Sequence, residues 1–145
     1  MTSRRGQATS LFLSSLVQGL VSVAFPASAV VLRGHGLTDA QYGSIFVPQM
    51  ALAAAGALGA GFVSGRFGAK RGLVLGFTLM ALSQAALASV PFAPPGGVYP
   101  LALLGTSLLG LGAGVSAGPL NAYPQALFPA RGESAVVALH SVVGV

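Results

Sequence analysis

Apolar residues run along this chain in long blocks, and polar or charged residues gather in the short gaps between them. A helix that crosses a bilayer needs about 20 predominantly apolar residues. Four blocks meet that length, at residues 11–32, 40–64, 72–91 and 99–123, and the first two carry no charge at all. The gaps read RGHGLTD, GRFGAKRG, PFAPPGGVYP and FPARGES, with the glycine, proline and charge of turns. A fifth block covers residues 134–145. Twelve helical residues rise about 18 Å, short of the roughly 30 Å hydrocarbon core. The pattern predicts an all-α polytopic membrane protein with four transmembrane helices plus the start of a fifth. Residues 1–10 form an amino-terminal segment and residues 11–145 a partial transmembrane domain. Such a chain is expected to be a fragment of a larger protein or the product of a truncated reading frame.

Composition fixes the solvent. Of 145 residues, 54% are hydrophobic and 6% charged, with a mean hydropathy of +0.82, where soluble domains carry about 25% charged residues. Two acids, Asp39 and Glu133, face seven Lys and Arg. That is too little polar surface to coat a globule in water, so the partner is a lipid bilayer. The net charge of +5 does not argue for nucleic acid, because the basic residues are separated by long apolar runs and form no stripe. The chain has no cysteine, hence no disulfide and no thiolate metal site. His35 and Asp39 stand four apart but lack a third ligand. No metal and no cofactor are expected.

The basic residues also orient the chain. Arg4, Arg5, Arg66, Lys70, Arg71 and Arg131 fall on one side of the spans and Arg33 on the other. By the positive-inside rule the amino terminus, the 65–71 loop and the 128–134 loop are cytoplasmic, in the inner (plasma) membrane of a cell. Arg4, Arg5 and the ASA of Ala27, Ser28 and Ala29 imitate a signal peptide. The first apolar run exceeds the 7 to 15 residues of a signal core, which favours an uncleaved span.

Inside the spans stand Gln18, Gln49, Asn121, Tyr123 and Gln125, near Pro26, Pro48 and Pro119. Amides in hydrocarbon are costly unless they face the protein interior or a water-filled path, so they are candidates for a polar cavity. The plain alternative is hydrogen bonding between helices. Gly61 and Gly65, Gly72 and Gly76, Gly110 and Gly114, and Gly114 and Gly118 are each spaced four apart. That spacing predicts close helix pairing.

The stretch from Gly61 through Gly65, Arg66, Gly68, Lys70 and Arg71 resembles the signature loop between the second and third spans of the major facilitator superfamily. The departures are Gly65 where that family has an acid and Ala69 where a basic residue is usual. GLTDAQYGSIFVPQM is similar to the family's entry into its second span, and the segment from Gly110 to Val145 resembles the branch of fucose and proton symporters. The resemblance implies the partial amino-terminal half of a facilitator fold, moving a small-molecule solute by alternating access and lacking its carboxy-terminal half. It implies that Arg66 and Arg71 take part in a cytoplasmic latch onto that other half. It places Asn121 and His140 at polar positions of the fourth and fifth spans. Solute contacts are then expected from the first and fourth spans, with Gln18, Ser22, Asn121 and Gln125, and Gln49 as a further cavity candidate. Ser22 and Ala117 stand where proton-coupled members of the branch carry carboxylates, and neither titrates near neutral pH.

Two rival classes remain. Gly114-Val115-Ser116-Ala117-Gly118, followed by Glu133 and His140, matches the order of a hydrolase elbow, which needs a strand, a turn and a helix. An intramembrane serine protease with Ser116 and His140 facing each other from neighbouring spans is the version a membrane chain allows. Gly112, Gly114 and Ala117 imitate a dinucleotide fingerprint without its βαβ unit. A small membrane subunit without transport activity is the other alternative.

Overall fold

In lipid, backbone polar groups have no water to turn to, so an apolar chain satisfies them internally as helix. The computed structural model describes residues 4–143, and among them every long element is helical. The helices are α1 (Arg4–Ala27), α2 (Ala29–Gly34), α3 (Asp39–Ser44), α4 (Phe46–Phe67), α5 (Ala69–Ala88), α6 (Val98–Leu127) and α7 (Gly132–Val143), with a 3₁₀ turn at Val90–Phe92. Four stretches are long and apolar enough to cross a membrane: Arg5–Gly34, Asp39–Phe67, Ala69–Ala88 and Val98–Leu127. They coincide within a few residues with the four blocks read from the sequence. Leu58, Met50, Val30 and Phe92 are exposed on the outside of the bundle, as a lipid-facing surface requires.

Two of the spans are broken where proline removes a backbone donor. Pro26 ends α1, and the chain resumes as α2 after Ser28, whose hydroxyl donates to the Ala24 carbonyl at 2.6 Å. Pro48 offers no N–H to the turn before it, and the second span breaks at Ile45 between α3 and α4. Thr38 starts α3 with a capping box: its hydroxyl accepts from the Gln41 N–H, and the Gln41 side chain accepts from the Thr38 N–H. Arg33 pairs with Asp39 at 2.7 Å across this corner and stacks on the Tyr42 ring. By contrast, Pro119 and Pro124 sit inside an α6 that continues through both.

The bundle is organised around α6, which packs on α4 and α5. Glycine makes this possible. A Cβ added at Gly110 would lie 2.0 Å from the Gln49 carbonyl oxygen, one at Gly114 2.2 Å from that of Ala53, and one at Gly56 2.7 Å from that of Leu111. On the α5 side, Gly76 and Gly112 meet each other's helix in the same way. The pairing expected at Gly72, Gly76, Gly110 and Gly114 is therefore present, whereas Gly61 and Gly65 face open space and bring no neighbour close. Spacing alone does not distinguish a glycine face turned inward from one turned outward.

A main core surrounds Phe25, Leu32, Ile45, Met80 and Leu109, with the Phe25 ring seated on Gly105. A smaller cluster of Leu11, Leu120 and Leu139 ties α1, α6 and α7 together. Next to that smaller cluster lies the polar cavity.

Candidate functional site

The sequence of α1 places Ser15, Gln18 and Gly19 on one helix face, since residues three and four apart are neighbours there. That face meets α7 at close range: a Cβ on Gly19 would lie 2.4 Å from the Val143 carbonyl oxygen. The closeness leaves a cavity of about 80 Å³ between α1, α6 and α7, lined by Ser15, Gln18, Asn121, His140 and their apolar neighbours Leu120 and Leu139.

Its polar groups are amide, hydroxyl and imidazole. His140 Nε2 and Asn121 Oδ1 are 3.0 Å apart, and because an amide oxygen only accepts, Nε2 is the donor. This bond joins α7 to α6. Gln18 Oε1 is buried with no hydrogen-bond partner among the described residues. A buried unpaired polar atom costs about 1–3 kcal/mol, and Gln49 Oε1, Ser64 Oγ, Ser83 Oγ and Gln84 Nε2 share this condition among the described residues, outside the cavity.

The five cavity candidates do not form one cluster. Gln18 and Asn121 share the cavity. The Ser22 hydroxyl is turned back along its own helix, donating to the Gln18 carbonyl at 2.8 Å. Gln49 lies where α4 crosses Gly110 of α6, with its Oε1 buried and unpaired among the described residues. Gln125 packs against Gly132 at the turn from α6 to α7, where it lines a separate depression with Arg131 and Glu133. Ser15, only 2% exposed, was not among the candidates. Its position three residues before Gln18 was the available signal.

The basic loop is a one-residue turn. Gly68 is both the C-cap of α4 and the N-cap of α5, at φ 86° and ψ 148°, a conformation essentially confined to glycine. It divides the cluster. Lys70 lines a cavity of about 310 Å³ with Ser10, Ser14 and Tyr123 of α1 and α6. Arg66 and Arg71 are exposed, and Arg66 lies 5.9 Å from the Phe67 ring centre. Among the described residues the one ion pair is Arg33 with Asp39, so Arg66 has no acid beside it, in keeping with Gly65 at the preceding position.

The serine protease arrangement is not assembled. Ser116 is fully buried, donates to the Gly112 carbonyl at 2.9 Å, and packs on Gly76 of α5. Asn121, which holds His140, is five residues further along α6 and so about 140° around it. Ser116 and His140 face different neighbours. No strand occurs among the described residues, which removes the frame of the hydrolase elbow and of the dinucleotide fingerprint alike.

The sequence model of the Major Facilitator Superfamily matches residues 8–145, nearly the whole chain. No curated protein and no solved structure gives a match.

Proposed function

The chain belongs to the Major Facilitator Superfamily, and we propose that it contributes the solute-binding side of an alternating-access transporter through the cavity between α1, α6 and α7. Membership makes it a multi-pass protein of a membrane transporter family. The reading goes further in assigning the cavity to a small-molecule solute, the 11–145 region to part of one six-helix half, and the working molecule to that half together with a second.

The single observation that carries it is the meeting of polar side chains from three helices in one cavity: Gln18 of α1, its Oε1 buried and unpaired among the described residues, beside the bond between Asn121 of α6 and His140 of α7. Polar side chains within membrane spans are expensive unless they pair with one another or line a pathway. The open face of α4 supports the second half. Gly61 and Gly65 meet nothing within 4 Å, and Arg66 and Arg71 stand exposed beside them, so a neighbour from outside this helix set fits there. We assign these residues and Gly68 to the hinge and latch of the cytoplasmic side, with the amino terminus on that side of the plasma membrane.

Single-cysteine accessibility tests the assignment cleanly, because the chain has no cysteine of its own. With the protein in proteoliposomes, Gln18→Cys and Asn121→Cys are expected to react with a membrane-impermeant thiol reagent, while Val30→Cys and Leu82→Cys, both lipid-facing, do not. Equal protection at all four positions would remove the water-filled cavity and the transport reading with it.

A further inference from the structure

We propose that the depression between α1, α5 and α6 binds the phosphate headgroup of an anionic phospholipid, at the end of the bundle that carries the amino terminus. Three helix faces converge on it. Ser10, Leu11 and Ser14 share one face of α1, since they are spaced by three and four, while α5 brings Lys70 and Leu73 from its start and α6 brings Tyr123 and Leu127 from its end. The space is about 310 Å³, within the range of small-ligand pockets. Part of its wall is apolar: Leu73 and Leu127 pack against the cluster around Leu11. This site stands apart from the cavity between α1, α6 and α7, and its occupancy does not depend on transport.

The polar part of the wall is a set of donors without acceptors. The Ser10 hydroxyl donates to the Gly6 carbonyl at 2.9 Å and is spent. The Lys70 ammonium and the hydroxyls of Ser14 and Tyr123 have no hydrogen-bond acceptor among the described residues, and no carboxylate lines the depression. Of the two acids in the sequence, Asp39 is paired with Arg33 at the opposite end of the bundle and Glu133 lines the separate depression beside Arg131. A phosphate oxygen suits such a set, because bonds from a charged donor to phosphate are about twice as strong as neutral ones. The apolar residues point to a lipid as its source. Leu11, Leu73 and Leu127 offer surface to the glycerol backbone and first methylenes of a phospholipid, which a free phosphate cannot use. A zwitterionic headgroup would bring a cation as well, and this wall has no acid to receive it, so a lipid of net negative charge fits best. Arg5 and Arg71, exposed at the same end, add to the attraction without lining the depression.

The test places the whole chain in phosphatidylcholine nanodiscs, titrates in spin-labelled phosphatidylglycerol and reads the fraction of label immobilised on the protein. Saturable immobilisation is expected, weakened about tenfold in Lys70→Gln, the worth of one hydrogen bond involving a charged group, and retained in Lys70→Arg. Arg71→Gln removes the same charge one residue away, outside the depression, and is expected to leave the affinity within about twofold. Lys70 and Arg71 are both exposed, so these substitutions leave the packing intact. Equal losses in the two glutamine variants would reduce the effect to the general attraction of a basic surface and overturn the site, as would immobilisation that never saturates. Ser14→Ala and Tyr123→Phe each remove one donor and are expected to weaken binding about threefold. Unchanged affinity in both overturns the donor set; should Tyr123→Phe fail to fold, Ser14→Ala and the lysine variants decide. Inorganic phosphate, compared with chloride at equal ionic strength, separates the two sources of the group. No displacement of the label by phosphate is expected, and its displacement would assign the depression to a free anion and overturn the lipid.

Discussion

The Thr106 hydroxyl, fully buried on α6, donates to the carbonyl of Ile45 at 2.7 Å, the residue at which the second span breaks ahead of Pro48. The same hydroxyl lies 3.1 Å from the carbonyls of Ala102 and Leu103, but it has one proton and the shortest contact is across to the other helix. Pro48 withdraws the N–H that would have reached the Ser44 carbonyl, and at the next residue of the same break the Thr106 bond ties α6 to the Ile45 carbonyl.

Thr106→Val, which keeps the shape and removes the donor, is expected to lower stability by about 1 kcal/mol, the usual scale of hydrogen bonds between membrane helices. Thr106→Ser is expected to retain most of it. Reversible unfolding in mixed detergent micelles reads both; equal midpoints for the valine and serine variants would show that the bond across to Ile45 contributes nothing.

Glycines that look alike in sequence should respond oppositely to alanine. Gly110→Ala places a Cβ against the Gln49 carbonyl and is expected to cost more than about 2 kcal/mol, because backbone cannot move aside as a flexible side chain does. Gly61→Ala and Gly65→Ala meet open space within this chain and are expected to be neutral or to stabilise its fold by up to about 1 kcal/mol. The same unfolding assay checks the pair, and a comparable loss at all three positions would contradict the packing described.

Gly68→Ala is expected to destabilise the turn between α4 and α5 by about 1–3 kcal/mol, since φ 86° with ψ 148° is strained for any residue with a Cβ. Proteolysis at the 66–71 loop is a local readout: faster cleavage in the variant at unchanged cleavage elsewhere is the expected pattern. A variant with wild-type stability and cleavage would mean that the turn adopts another conformation.

Orientation is open to direct measurement. Arg71→Cys and His35→Cys lie at opposite ends of the spans and are expected to label from opposite sides of sealed vesicles, position 71 from the cytoplasmic side. Labelling of both from one side would invalidate the topology, and exchange of the two sides would invert it.

A serine-reactive phosphonate is expected to leave the chain unlabelled, because the Ser116 hydroxyl is buried and bonded to the Gly112 carbonyl. Labelling lost in Ser116→Ala would restore the protease reading.

By itself, the sequence determined the elements and their solvent. Unbroken apolar blocks and turns of Gly, Pro and charge fix four helices in a bilayer, because lipid leaves an unpaired backbone no alternative. The match of Gly61 to Arg71 with a family signature was also legible, as a local frame of residues in one turn. Tertiary structure decided which faces met. Gly61 and Gly110 carry the same spacing signal, yet one lies open and the other touches the Gln49 carbonyl, since facing depends on how helices rotate against each other. Gln18 and Asn121 are 103 positions apart in the chain and share a cavity, whereas Gln125, four residues beyond Asn121, is turned to another depression. Ser116 and His140 read as partners in order along the chain, but α6 presents Ser116 to α5 and Asn121 to α7. A one-dimensional pattern records periodicity within a helix and not the rotation of one helix about another, and that rotation is what assembles the site.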